Sequence, residues 1–461
     1  MKVAQEPGID RGALRRLIAR EDDAFLKSHR ESARLAASSA VHWLNGVPMH
    51  WMRDWNTPHP LFVKSARGVE VEDADGNFLV DFCFGDTGAM FGHSPPPIAR
   101  ALAEAGGAGI TAMLPAERVA RVGEKLAHMF GLPFWQMTQT ATDANRAALR
   151  WSRAVTRRSR ILCFDGCYHG TVDETMVRAD LARGMGAARP RAGLIGPSHD
   201  SSQNTDVVPF NDAAALEAVL ARGATAAVIA EPVMTNIGMV LPEAGFLRDL
   251  RELTRRHGTL LIIDETHTLS TARGGYSRAA DLQPDIWVCG KAIAGGMPCA
   301  VFGFTAEVEA GMRRVQRERG GGHSGMGTTL SANALALACL EASLDELMTE
   351  ANYAAMLAAA DRLDEGLQRL FGELSLPWYV SRVGARLEFG FGQPPRDGAE
   401  AERQARPQLE HAIHLHLLNR GMLLTPFHNM MLCSPSTTRS HVDRLLAALH
   451  DCLQELGSGP C

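Results

Sequence analysis

Between about residues 115 and 335, short runs of purely apolar, β-prone residues alternate with helical stretches, and this alternation restricts the fold more than any other feature. The runs are Ile161-Leu-Cys-Phe164, Ala226-Ala-Val-Ile-Ala230, Leu260-Leu-Ile-Ile263, Ile286-Trp-Val-Cys289 and Ala300-Val-Phe-Gly-Phe304. A strand with one wet face alternates apolar and polar residues; these runs do not, so both of their faces are expected to be covered. The expectation is an α/β fold built on an open, mainly parallel central sheet with helices on both sides. In such sheets ligands bind beyond the carboxyl ends of the strands, where the loops converge.

The flanks have a different character. Residues 9–38 follow a helical period, with Leu14, Leu17, Ile18, Phe25 and Leu26 on one side. A Trp/His/Pro-rich connector runs from His42 to Pro60, and residues 61–82 read as short strands around the turn Asp73-Ala-Asp-Gly-Asn77. Beyond the alternating region a long helix (about 331–372) leads to strands near Trp378–Val380 and Ala385–Phe391. Helices at about 406–420 and 438–456 complete a smaller α+β domain. The expected division is an N-terminal helix and strand segment (1–75), a large domain (76–335) and a C-terminal small domain (336–461).

Composition narrows the class of partner. A net charge of −5 and a pI near 6.4 give no basic surface for a nucleic acid. No apolar run is long enough to span a membrane, and no signal-peptide pattern is seen. Nine cysteines, an odd number without CxxC pairs, suit reduced thiols. The expected setting is the cytoplasm and the expected partners are small molecules.

Lys291 carries the chemistry. Lysine stands at five positions, and the other 42 of the 47 basic residues are arginine. Lys291 lies in the apolar, glycine-flanked stretch Ile286-Trp-Val-Cys-Gly-Lys-Ala-Ile-Ala-Gly-Gly-Met-Pro298, where loss of solvation favours a neutral, nucleophilic amine. Three other apolar runs also end in polar groups: Asp165-Gly-Cys-Tyr-His-Gly170, Glu231-Pro-Val-Met-Thr-Asn-Ile-Gly238 and Asp264-Glu-Thr-His-Thr268. A carboxylate ending a buried strand needs a cation or a donor. Asp264 is placed to hold a protonated ring nitrogen and Lys291 an aldehyde, the pair that pyridoxal phosphate requires. Thr138-Gln-Thr-Ala-Thr-Asp-Ala-Asn145, with small residues and hydroxyls before a helix, suits a phosphate at a helix N-terminus.

The stretch Glu231-Pro-Val-x-x-Asn236-x-Gly238, followed by Leu261-Ile-Ile-Asp264-Glu265 and Gly290-Lys291-x-Ile293-x-Gly-Gly-x-Pro298, resembles the class III pyridoxal-phosphate aminotransferases. The likeness is greatest to the branch containing glutamate-1-semialdehyde aminomutase. Asp73-x-Asp-Gly76, Gly92-His-Ser-Pro95, Gly166-Cys-Tyr-His-Gly170 and Thr329-x-Ser331-x-Asn333 extend it over about residues 60–335. The resemblance implies a fold-type I transferase, a homodimer with shared active sites, and pyridoxal 5'-phosphate in the large domain. It implies Lys291 as the Schiff-base lysine, Asp264 as the ring-nitrogen partner and Tyr168 as the stacking aromatic. Ala141 and Thr142 match the phosphate-binding pair, with His169 and Glu231 in the motifs that surround the cofactor. Thr329 matches the threonine that reaches the partner subunit's phosphate, and Thr328 stands beside it as the alternative.

Two departures bear on the site. Thr266 replaces the valine that usually packs under the ring, and the expectation is that it fills similar volume. His267 follows and reads as an ordinary strand-end histidine. For substrate, Arg53 in Trp51-Met-Arg-Asp-Trp55 resembles the carboxylate-binding arginine of the aminomutase branch, with Trp51, Trp55 and Phe84 as candidate pocket walls. No metal site is expected. The leading expectation is an aminotransferase moving an amino group from an amino acid or amine to a keto acid or aldehyde. The alternative is an aminomutase of the glutamate-1-semialdehyde type, and residues 180–205, in the region of the closing loop, do not resemble the usual aminomutase loop.

Overall fold

In the computed structural model, which describes residues 8–196, 200, 203–425 and 427–457, the apolar runs form the centre of a seven-stranded sheet. In chain order its strands are β4 (Phe134–Thr138), β5 (Arg160–Phe164), β8 (Thr205–Val208), β9 (Thr225–Ala230), β10 (Leu260–Asp264), β11 (Ile286–Cys289) and β12 (Ala300–Phe304). Their spatial order is β4-β12-β11-β10-β9-β5-β8. β12 is antiparallel to both of its neighbours and the remaining pairs are parallel, so six carboxyl ends open on one edge. Every residue of β9, β11 and β12 is buried, as uninterrupted hydrophobicity requires. The fold is that of a fold-type I transferase. The edge strands β4 and β8 lack long apolar runs and are not visible as strands in the sequence.

The remaining strands form smaller sheets. β1 (Val63–Arg67), β2 (Glu70–Asp73) and β3 (Phe78–Asp81) make an antiparallel ribbon, and β15 (Met422–Leu423), from far along the chain, pairs parallel with β3. β13 (Trp378–Val383), β14 (Arg386–Phe391) and β16 (Met430–Leu432) form the sheet of the small domain. A hairpin of β6 (Val177–Ala179) and β7 (Ala188–Pro190) lies outside all three.

The helix Arg11–Ser28 packs on the helices Pro407–Leu418 and Arg439–Leu456, which joins the N-terminus to the C-terminal domain. The boundary expected at residue 75 falls in the turn between β2 and β3, two strands that pair. The long helix expected at 331–372 is broken: Ala334–Ala342 runs into a π-turn at Ser343–Leu347, and a new helix, Glu350–Glu373, starts under the Thr349 cap. No helix among the described residues is long and apolar enough to cross a membrane.

Candidate active site

A cavity of about 300 Å³ opens at the carboxyl edge of the central sheet, and its lining is drawn from five strand exits. β4 leads to Thr140, Ala141 and Thr142; β5 to Tyr168 and Gly170; β9 to Glu231; β10 to Asp264, Thr266 and His267; β11 to Lys291. Residues more than 150 positions apart meet because parallel strands end on the same side.

The helix Ala141–Thr156 starts at the cavity, with its N-cap Thr140 accepting a hydrogen bond from the Asp143 amide. Its first residues, Ala141 and Thr142, line the cavity, and a helix N-terminus at a cavity favours an anion. Gly290 brings β11 against this helix end: a Cβ there would stand 2.9 Å from the Ala141 Cβ. A Cβ on Gly170, whose φ is +76°, would overlap the Thr142 hydroxyl. The two glycines keep the cradle narrow.

Asp264 sits at the rear of the cavity, 4% exposed, with four donors around its carboxylate. Asn145 Nδ2 (2.8 Å) and His169 Nδ1 (3.1 Å) reach Oδ2; the Thr266 amide (3.1 Å) and hydroxyl (2.7 Å) reach Oδ1. Burial alone would raise the carboxyl, but hydrogen bonds from His169, Thr266 and Asn145 outweigh it and bring it down to about 2. His169 moves the opposite way: burial lowers it, yet Cys167 and Asp264 raise it well above its ordinary value. An anion held so firmly, facing a cavity, fits the protonated nitrogen of a pyridine ring. Glu231 differs, since burial pushes it up to about 7, partly offset by His169 and Thr235. Thr235 donates to its Oε2 at 2.5 Å, and Oε1 has no partner among the described residues.

Lys291 opens a short 3₁₀ turn with φ +47°, a left-handed conformation that a side-chain-bearing residue rarely adopts. Its Nζ donates to Asp86 Oδ2 at 2.6 Å and lies 3.0 Å from His267 Nε2. Arg386, completely buried on β14, donates to the other oxygen of Asp86 at 3.1 Å. Burial would raise the Asp86 carboxyl, but the charges of Lys291 and Arg386 hold it well below its ordinary value. Asp86 lies in a run of four left-handed residues, Phe84, Gly85, Asp86 and Thr87, with φ between +47° and +85°. Asp81 ties that run down by accepting from the Cys83 and Phe84 amides.

Lys291, Asp264, Ala141, Thr142, Tyr168, Glu231 and Thr266 all line this one cavity, and His169 stands behind Asp264. Thr266 does more than fill the valine's volume, because its hydroxyl is engaged with Asp264. His267 is no ordinary strand-end histidine; it touches the Lys291 amine. Thr328 and Thr329 are exposed outside the cavity, Thr328 beside Gln139 and Ser331. Of the candidate substrate residues, none lines the cavity of its own chain. Phe84 is fully buried core, Trp55 packs under the ribbon against a small apolar cluster, and Arg53 and Trp51 project from an exposed turn. Phe84 and Trp55 are therefore removed as pocket walls. Asp86 and Arg386 were missed by sequence reasoning; a charged residue in each of two apolar stretches was the available signal.

The chain is similar to known proteins over most of its length. The family profile described as Aminotransferase class-III matches residues 51–453. Glutamate-1-semialdehyde 2,1-aminomutase of Sorangium cellulosum (strain So ce56) is 34% identical over 400 residues, 86% of this chain and 89% of that protein. Among solved structures, a glutamate-1-semialdehyde-aminomutase from Pseudomonas aeruginosa PAO1, in complex with PMP, superposes with a TM-score of 0.94 and 46% identity, covering 97% of this chain and 100% of the other. An omega-transaminase from Sphaerobacter thermophilus superposes at 0.84 with 26% identity, covering 92% and 97%.

Proposed function

The chain belongs to the class-III aminotransferases, a family of pyridoxal-phosphate enzymes, and from that premise we propose that it moves an amino group within a single small amino-aldehyde, as an aminomutase of the glutamate-1-semialdehyde type. The supporting observation is that its likeness to aminomutases is greater than its likeness to the omega-transaminase, over nearly the whole chain. This replaces the leading expectation from sequence with its alternative. Pyridoxal phosphate, when bound, supplies an aldehyde that carries the amino group and a protonated ring that accepts electron density.

The chain's own residues then have distinct tasks. The amides at the start of the helix Ala141–Thr156 and the Thr142 hydroxyl would hold the phosphate, and Tyr168 would cover one ring face. Asp264, kept anionic by Asn145, His169 and Thr266, would keep the ring nitrogen protonated. Lys291 Nζ holds and moves the proton at the reacting carbon, and Asp86 accepts a hydrogen bond from it. The same proposal includes a homodimer in which Thr329, with Thr328 as the alternative, serves the partner subunit, since both lie outside the cavity of their own chain.

A second reading, transfer between two molecules, is favoured by the β6–β7 hairpin. Arg178 on β6 bridges Asp165 and Glu402, and Arg191 just after β7 donates to the Cys167 carbonyl. A segment fastened at both arms is poorly suited to close over a bound intermediate. Product analysis separates the two. Supplied with glutamate 1-semialdehyde alone, the enzyme should return an isomeric amino ketone that keeps its nitrogen, with no deaminated product. A nitrogen-free keto acid formed from a separate amino donor, one-for-one with amination of an added carbonyl acceptor, would show transfer instead.

A further inference from the structure

Thr87 has one hydroxyl proton and two buried neighbours competing to define it. Arg386 Nη1 lies 2.6 Å from Thr87 Oγ1, and His267 Nδ1 lies 2.9 Å from the same oxygen. Thr87 and Arg386 are fully buried and His267 is 6% exposed, so bulk water does not settle their hydrogen bonds. A guanidinium has no acceptor, so Thr87 Oγ1 accepts from Arg386. The hydroxyl proton then needs an acceptor, and His267 Nδ1 is the one recorded among the described residues. Asp86 Oδ1, at 3.7 Å from His267 Nδ1, is too distant to accept a proton from that nitrogen.

Nδ1 therefore accepts, which places the ring's single proton on Nε2, 3.0 Å from Lys291 Nζ. The opposite tautomer would leave a buried Thr87 proton without an acceptor, an arrangement that folded proteins avoid. A doubly protonated ring is disfavoured as well. Burial and the charges of Lys291 and Arg386 hold His267 well below its ordinary value, against the pull of Asp86 and Asp264.

We propose that Thr87 and Arg386 are positioning residues that lock His267 as a neutral hydrogen-bond donor toward Lys291, so that His267 does not act as the base. This rests on the reading of Lys291 as the reacting amine. A nitrogen that already carries its proton cannot take the proton released from a substrate. As the free amine of the reacting state, Nζ accepts from His267 and donates a hydrogen to Asp86, and so stays oriented at the cavity edge. The network thereby assigns proton movement to lysine although an imidazole stands 3.0 Å from its amine.

The test is nitrogen NMR of the holoenzyme and the cofactor-free protein labelled at the histidine rings, with the signal assigned by its loss in His267→Gln. The expected ring is protonated at Nε2 and bare at Nδ1 near pH 7. Thr87→Val should abolish this pattern and lower turnover by roughly ten- to a hundredfold, and Thr87→Ser should restore both. A wild-type ring protonated at Nδ1 or at both nitrogens overturns the proposal, and so does an unchanged pattern in Thr87→Val. If Thr87→Val does not fold, the wild-type pattern and the Thr87→Ser variant decide. Borohydride labelling of a lysine other than Lys291 would instead overturn the underlying reading, whichever tautomer is found.

Discussion

Thr266 gives both its amide and its hydroxyl to one oxygen of Asp264, and with Asn145 and His169 on the other oxygen the carboxylate has four donors. A carboxylate offers about four lone-pair positions, so a ring nitrogen approaching Asp264 meets competition from the Thr266 hydroxyl. Thr266→Val restores the residue usual in the family and removes that competitor at nearly constant volume. The variant should bind pyridoxal phosphate as tightly as the parent or more tightly, measured by equilibrium titration of the cofactor-free protein. A loss beyond about tenfold, the scale of one neutral hydrogen bond, would mean that the hydroxyl holds the cofactor itself. Residues whose place in the cavity follows from local position were legible beforehand: Lys291 by its rarity and setting, Asp264 by its place at a strand end. Asp86 and Arg386 were not, because each is defined by the other. Nothing local in Phe82-Cys-Phe-Gly-Asp-Thr-Gly88 or Ala385-Arg-Leu-Glu-Phe389 says that the two will meet across 300 residues.

At the scale of elements, the strands that run unbroken through the core were legible and those held by polar contacts were not. β8 escapes a hydrophobic reading because it is Thr205-Asp-Val-Val208, yet it is buried, its Asp206 bridged to Arg160 and its Thr205 hydroxyl given to the Glu174 carbonyl. β9 is the opposite case, an apolar strand that delivers a carboxylate, Glu231, into a place where burial pushes it up to about 7 from an ordinary 4.5. A carboxyl raised on folding stabilises the folded state fully below its unfolded value, and that contribution is lost as pH rises through the folded one. The window is therefore about pH 4.5 to 7, and the loss approaches about 3 kcal/mol at its upper end. Urea unfolding of the cofactor-free protein should show wild type losing more stability between pH 5 and 8 than Glu231→Gln, by up to that amount. Parallel pH dependences in the two proteins would mean that Glu231 titrates normally.

At the scale of the whole molecule the fold class, an α/β part on a mainly parallel sheet with a smaller α+β part, was legible, but the sequence order hid how the ends combine. β15 completes the N-terminal ribbon and the helix Arg11–Ser28 packs on two C-terminal helices, contacts between segments more than 300 residues apart that no local pattern encodes. The assembly lies one level further from the sequence. Large apolar side chains remain exposed on the single chain, among them Leu44 (84%), Met113 (77%) and Leu114 (77%), a burden that a second subunit would relieve. If Thr329 completes the phosphate site of the partner, cofactor and dimer must be linked, because a ligand that binds the dimer preferentially stabilises it by mass action. Sedimentation across a dilution series should then show a dimer that persists to lower protein concentration with pyridoxal phosphate than without it. Thr329→Val should reduce that difference and weaken cofactor binding by roughly tenfold or more, as expected for a lost hydrogen bond to a charged group. Thr328→Val distinguishes the neighbouring hydroxyl: if it alone produces the loss, Thr328 is the residue that crosses the interface. A fully active monomer, or two variants that both bind cofactor as wild type does, would place the entire phosphate site within one chain.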